Sequence, residues 1–209
     1  MIAVLGPEPQ EVAFAVEPLA RVELWIISFM TFGAQAVITV LFPTVLVAQG
    51  LTIANSLFFT MIINIGGLIG AILTPYFAAK LTLKAVLGFG ALAAVGVAML
   101  YSSVGSTTLV LLVGALMQLM FILLNTTTWL YAPELYPRRV RAFDTGSSVI
   151  VALVVGASML PYLAGSILDA AGVPGLFGMV AVMYLIMAVT VWLIMVETKY
   201  KKLEEGLEM

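Results

Sequence analysis

The sequence predicts an all-α membrane protein of six transmembrane helices, with both termini in the cytoplasm. The first observation is composition: 63% of the 209 residues are hydrophobic, 10% are charged, and mean hydropathy is +1.16. An ordinary globular chain carries about 25% charged residues. The second is length. Leu24–Val47, Ile53–Ala79, Ala85–Ser103, Thr108–Tyr131, Thr145–Leu168 and Pro174–Val196 each run without a charged residue, and about 20 apolar residues cross a bilayer core. The third is charge placement. All nine basic residues fall in alternate connections or at the ends: Arg21, Lys80, Lys84, Arg138, Arg139, Arg141, Lys199, Lys201 and Lys202. The connections around 48–52, 104–107 and 169–173 contain none. Basic residues collect on the cytoplasmic side, so this asymmetry fixes both span count and orientation.

Residues 1–23 read as a cytoplasmic lead-in broken by Pro7, Pro9 and Pro18, with Glu8, Glu11 and Glu17 where a signal peptide would be positive. Residues 24–196 form the six-helix bundle, and 197–209 a cytoplasmic tail. Helix is the required conformation, because lipid cannot satisfy open backbone groups and the alternation of a barrel is absent. The first span carries Thr31, Gln35 and Thr39 at intervals of four, hence on one face. The second repeats this with Ser56, Thr60 and Asn64, and pairs Gly66 with Gly70 at a spacing suited to close helix packing. The third holds Gly88, Gly90 and Gly96 but neither Asn nor Gln. On the fourth, Gln118, Asn125 and Trp129 follow the 3.6-residue repeat. The fifth is milder, with Ser147, Ser148, Ser158, Tyr162, Gly156 and Gly165, and the sixth interior lacks Asn and Gln. Spans one, two, four and five are therefore expected to face a shared polar interior, with three and six outermost.

A single buried Asn or Gln is usually an interhelical hydrogen bond worth about 0.6 kcal/mol. Three aligned polar faces are better explained by a cavity, and Gln35, Asn64, Gln118, Asn125 and Trp129 are its candidate solute-binding residues. Ionisable side chains are missing from the middle of every span, so a proton relay has no obvious carrier. Without Cys or His, thiolate metal sites and His-based nucleophilic or metal catalysis are excluded. Phosphate-binding glycine loops and dense basic blocks are absent too, so no cofactor, metal or nucleic acid is expected. Enzyme readings are poor.

The densest signal follows the fourth span: Tyr131-Ala132-Pro133-Glu134-Leu135-Tyr136-Pro137-Arg138-Arg139-Val140-Arg141-Ala142. It combines an acidic residue between prolines with a basic cluster, and Glu134 and Arg141 are placed to pair at the cytoplasmic rim. This segment resembles the loop between the tenth and eleventh helices of the major facilitator superfamily, in its sugar-porter and metabolite-symporter branches. The pattern Pro-Glu-Leu-(Phe/Tyr)-Pro-x-x-x-Arg-(Gly/Ala) is met at Pro133, Glu134, Leu135, Tyr136, Pro137, Arg141 and Ala142. Trp129 stands where the sugar-porter tryptophan borders the substrate. The tail Val196-Glu197-Thr198-Lys199 with Leu203-Glu204-Glu205 resembles the sugar-porter ending, and Thr31-Phe32-Gly33 with Leu41-Phe42-Pro43-Thr44 resembles the seventh helix of metabolite relatives. Departures are clear as well. Ala79-Lys80-Leu81-Thr82-Leu83-Lys84 keeps two charges of an expected Asp-Arg-x-Gly-Arg-Arg, and paired glutamines of the seventh helix are missing.

The resemblance implies the C-terminal half of a secondary transporter, helices seven to twelve, moving a metabolite, organic acid or sugar by alternating access. It implies a second six-helix half as partner, supplied by the same chain, a separate chain or a second copy. Lys80, Lys84, Glu134, Arg138, Arg139, Arg141 and Glu197 would form the cytoplasmic gate. The expected location is multi-pass in the cell's inner membrane. A non-transporting scaffold or assembly subunit is the competing class.

Overall fold

The computed structural model describes residues 18–135 and 141–195, without the side chains of 18–20, 141, 142 and 144. Every regular element among them is helical: α1 (Pro18–Ala48), α2 (Ile53–Lys80), α3 (Leu83–Ser102), α4 (Thr107–Tyr131), α5 (Arg141–Val151) and α6 (Ala157–Leu193). A short 3-10 turn, Ala132–Glu134, follows α4, and a π-helical turn, Ala152–Gly156, joins α5 to α6. Local chemistry sets these boundaries. Thr52 and Thr82 sit in extended backbone before α2 and α3, and their hydroxyls accept from the Asn55 and Ala85 amides at 3.4 and 3.2 Å. Each satisfies a donor that the first helical turn leaves open.

Among the described residues, five helices are long and apolar enough to cross a membrane, and the last runs 49 residues from Thr145 to Leu193. At about 1.5 Å per residue a straight helix of that length would be roughly 74 Å long, more than twice a bilayer core. It is not straight. Gly172 has φ 67° and ψ −166°, a conformation open to glycine, and Pro174 starts a new helix just beyond it. The chain doubles back there. A Cβ on Gly33 of α1 would touch both Leu160 Cδ1, before the break, and Met183 Cε, after it. Two crossings therefore occupy this helix, and the break lies inside the predicted 169–173 connection.

The bundle is antiparallel, and its two ends differ. At one end Tyr131, closing α4, donates to Glu23 near the start of α1, and Lys84 near the start of α3 donates to the Met195 carbonyl beyond α6. At the other, Gln49 and Leu51 of the α1–α2 connection meet Val104, Gly105 and Thr107 of the α3–α4 connection.

The core runs between α4, α1, α3 and the second part of α6. Phe121 stacks on Tyr184 with ring centroids 5.4 Å apart, and Tyr101 packs on Phe177 at 4.2 Å. All four rings are fully buried. One face of residues 176–191 is packed into this core, with 56% of the most apolar stretch of the last helix buried against 39% in α3 and 28% in α2. The reason is physical. In lipid an apolar helix is selected by how closely it can pack, and Ala91, Ala94 and Ala98 let α3 approach α6 where bulkier side chains would hold them apart.

Gly66 and Gly70 make α2 fit α4. A Cβ at Gly66 would run into the Ala115 carbonyl, and one at Gly70 would stand 2.5 Å from the Leu119 oxygen. The small-residue pair is thus a backbone-to-backbone crossing.

Candidate functional site

Helix α4 is the spine of the polar face. Gln118 and Asn125 lie seven residues apart, two turns or about 10 Å along the helix, so both point to one side. Each meets an amide on a different neighbour. Gln118 Nε2 donates to Asn64 Oδ1 of α2 at 3.0 Å, and Asn125 Nδ2 donates to Gln35 Oε1 of α1 at 2.5 Å. Four of the five residues singled out in the sequence thus become two cross-helix pairs with α4 common to both. Asn64 also donates to its own helix at the Thr60 carbonyl, 3.0 Å away.

The two pairs sit differently. Gln118 is buried beside Gly67, where a Cβ would lie 3.2 Å from its Cγ, while its partner Asn64 is exposed. Gln35 and Asn125 are both half-buried. One turn further on, Trp129 is 44% exposed and meets Phe32 of α1 edge to face at 5.5 Å. Nearby hydroxyls are turned inward: Thr60 donates to Ser56 O, Thr127 to Leu123 O and Thr128 to Leu124 O. Polar contacts from this face to a solute would come from the amides and the tryptophan indole.

The gate residues are only partly within the described structure. Arg138, Arg139 and Glu197 lie outside the described residues, as does the side chain of Arg141, so the expected Glu134–Arg141 pair falls outside as well. Lys80 is exposed, donates to the Tyr76 hydroxyl at 2.5 Å and lies 4.3 Å from the centre of that ring. Lys84 reaches the Met195 carbonyl at 2.7 Å. Glu134 ends the 3-10 turn that Ala132 begins, with Pro133 between them.

The sequence reading missed Glu23. This carboxylate is fully buried, accepts the Tyr131 hydroxyl at 2.8 Å, and lies within electrostatic range of Lys84. Among the described residues its second oxygen, Oε2, has no hydrogen-bond partner. It ties the start of α1 to the end of α4, directly before the Pro133–Glu134 turn. Position hid it: an acidic residue beside a span reads as solvated until the helix is seen to start at Pro18 and carry it inside.

Helices long and apolar enough to cross a bilayer several times define a multi-pass integral membrane protein. The sugar (and other) transporter family model matches residues 85–209. The chain belongs to that family of major facilitator membrane transporters, whose members are generally carriers of sugars or similar solutes and not enzymes. Comparison with curated proteins gives no match.

Proposed function

We propose that this chain is the C-terminal six-helix half of a secondary active transporter from the sugar-porter or metabolite-symporter branch, moving a small organic solute by alternating access. Its charged end would face the cytoplasm of the cell's inner membrane, and a second six-helix half would complete the cavity. Such transporters place the solute near the midplane, between two halves related by an axis along the membrane normal. The observation that carries the reading is the α4 face, where Gln118 and Asn125 hold Asn64 and Gln35 from two other helices and Trp129 stays exposed beside them. Primary amides both donate and accept, so each pair can open toward a hydroxyl or carboxyl group on the solute. The tryptophan offers a flat apolar wall beside them. Glu134, Lys80, Lys84 and the arginines of the following loop would close the cytoplasmic side, with Glu23 and Tyr131 holding that end together.

One observation favours a static scaffold instead: the amides satisfy one another. Counterflow uptake separates the two. Proteoliposomes holding the transporter with both halves are screened over sugars, aromatic acids and small metabolites, with and without a pH gradient. Uptake of one class above protein-free vesicles, lost in Gln118→Ala and Asn125→Ala, supports transport. Failure of every solute class to exceed background favours the scaffold.

A further inference from the structure

A groove of about 230 Å³ opens on the side of the bundle between α2, α3 and α4, away from the amide pairs. Phe77 and Leu81 form one wall, Phe89 and Ala93 the second, and Met120 and Leu123 the floor. Its lining is almost wholly carbon. Two lysines adjoin lining residues in the chain. Lys80 directly precedes Leu81, and Lys84 directly precedes Ala85, which also lines the groove. The turn at Leu81–Thr82 runs between them.

We propose that this groove retains one acyl chain of an anionic phospholipid, with the headgroup phosphate held at Lys80. Size and setting select this occupant. A helix is about 10–12 Å across and cannot enter so narrow a slot, and pockets for drug-sized solutes start near 300 Å³. A single hydrocarbon chain fits. The surrounding medium supplies it, because the helices that line the groove span a bilayer. Charge decides the headgroup. Basic pockets between helices at the membrane surface select anionic lipids. Lys80 gives one N–H to Tyr76 and, exposed, keeps two others for a phosphate. Lys84 is taken up by the Met195 carbonyl and the neighbouring Glu23 carboxyl, so the phosphate falls to Lys80.

Native mass spectrometry on the protein purified in mild detergent tests this, with phosphatidylglycerol and phosphatidylcholine of identical acyl chains as probes. The wild type should retain phosphatidylglycerol about five-fold over phosphatidylcholine, the preference expected of one well-placed lysine. Lys80→Gln should reduce the two to parity. Ala93→Trp, at an exposed position on the groove wall, should fill the slot and remove both lipids. Glycerol 1-phosphate should displace neither, since it has the phosphate without the chain. Equal retention of the two lipids by the wild type overturns the proposal, as does unchanged retention in Ala93→Trp, which a partner helix covering the groove would produce. If the tryptophan variant does not fold, Lys80→Gln alone decides: a preference that survives it sinks the headgroup assignment.

Discussion

Along one face of α4, Met117, Phe121 and Leu124 are sealed from solvent and pack into the core, where Phe121 lies flat against Tyr184. Along the other, Gln118 and Asn125 reach across to α2 and α1, and Trp129 stands partly open. The same 25-residue helix thus carries a face fixed by shape and a face fixed by hydrogen bonds. The difference matters for a carrier. Close packing offers one arrangement and resists change, whereas an amide pair can exchange its partner for a solute at little cost. The apolar face should therefore govern stability and the amide face activity.

The contrast is broken most directly at Phe121. Replacing a fully buried aromatic ring by alanine costs about 3–5 kcal/mol through lost burial and the cavity left behind. Phe121→Ala should lower the unfolding midpoint in detergent more than any amide substitution. If Asn125→Ala proves the more damaging to stability, the two faces have been assigned the wrong way round.

Tyr131→Phe comes next. It removes the hydroxyl that Glu23 accepts and leaves that carboxylate without its hydrogen bond in a fully buried position. Leaving a buried acceptor unsatisfied costs about 1–3 kcal/mol. Glu23→Gln should cost less, because the amide oxygen still accepts from Tyr131. Denaturant unfolding of the two variants checks the order. Equal losses would mean that the pair is ornamental and Glu23 is held by something else.

At the amide face the expected effect on stability is smaller and that on transport larger. Asn125→Ala removes a cross-helix bond of the kind worth about 0.6 kcal/mol, yet it should lower kcat/KM for uptake about ten-fold or more, which is about 1.4 kcal/mol of transition-state binding. The comparable change at Thr128, whose hydroxyl only caps its own helix at Leu124, should leave uptake within about two-fold, its turned-in bond carrying no solute contact. Matching losses in the two variants would mean that uptake follows general helix integrity and not the amide pairs.

These contrasts also mark what a sequence can say about such a protein. The apolar stretches and the alternating charges contain the span count, because a bilayer imposes length and lipid forbids unpaired backbone. That Gln118 and Asn125 share one face of α4 was visible in their spacing, since helical periodicity decides direction. Which amide meets which was not, because pairing depends on helix rotation and depth: Gln118 takes Asn64, and Asn125 takes Gln35, across 54 and 90 residues of chain. How closely the sixth span packs on α3 was hidden on the same ground. Polarity says what a helix wants to avoid, but Phe177 and Tyr184 found the centre through the alanine face of α3. Glu23 escaped because its burial is a property of four chain ends meeting, and no local pattern encodes that meeting.

Glycines give the finest version of the comparison. Spacing alone made Gly66, Gly70, Gly88, Gly90, Gly96, Gly156 and Gly165 equivalent candidates for close packing. The structure divides them. A Cβ at Gly66 would strike the Ala115 backbone, whereas Gly96 and Gly165 face open space. Gly96→Ala should therefore change stability by less than about 0.5 kcal/mol, or raise it slightly, since a mid-helix glycine costs about 0.5–1 kcal/mol in backbone entropy relative to alanine. Gly66→Ala on the same scale should be clearly destabilising, because a backbone carbonyl cannot step aside as a side chain can. Thermal unfolding of the two variants side by side is the measurement. A loss at Gly96 as large as that at Gly66 would place another surface against α3, and that part of the bundle would then belong to an interface and not to the lipid.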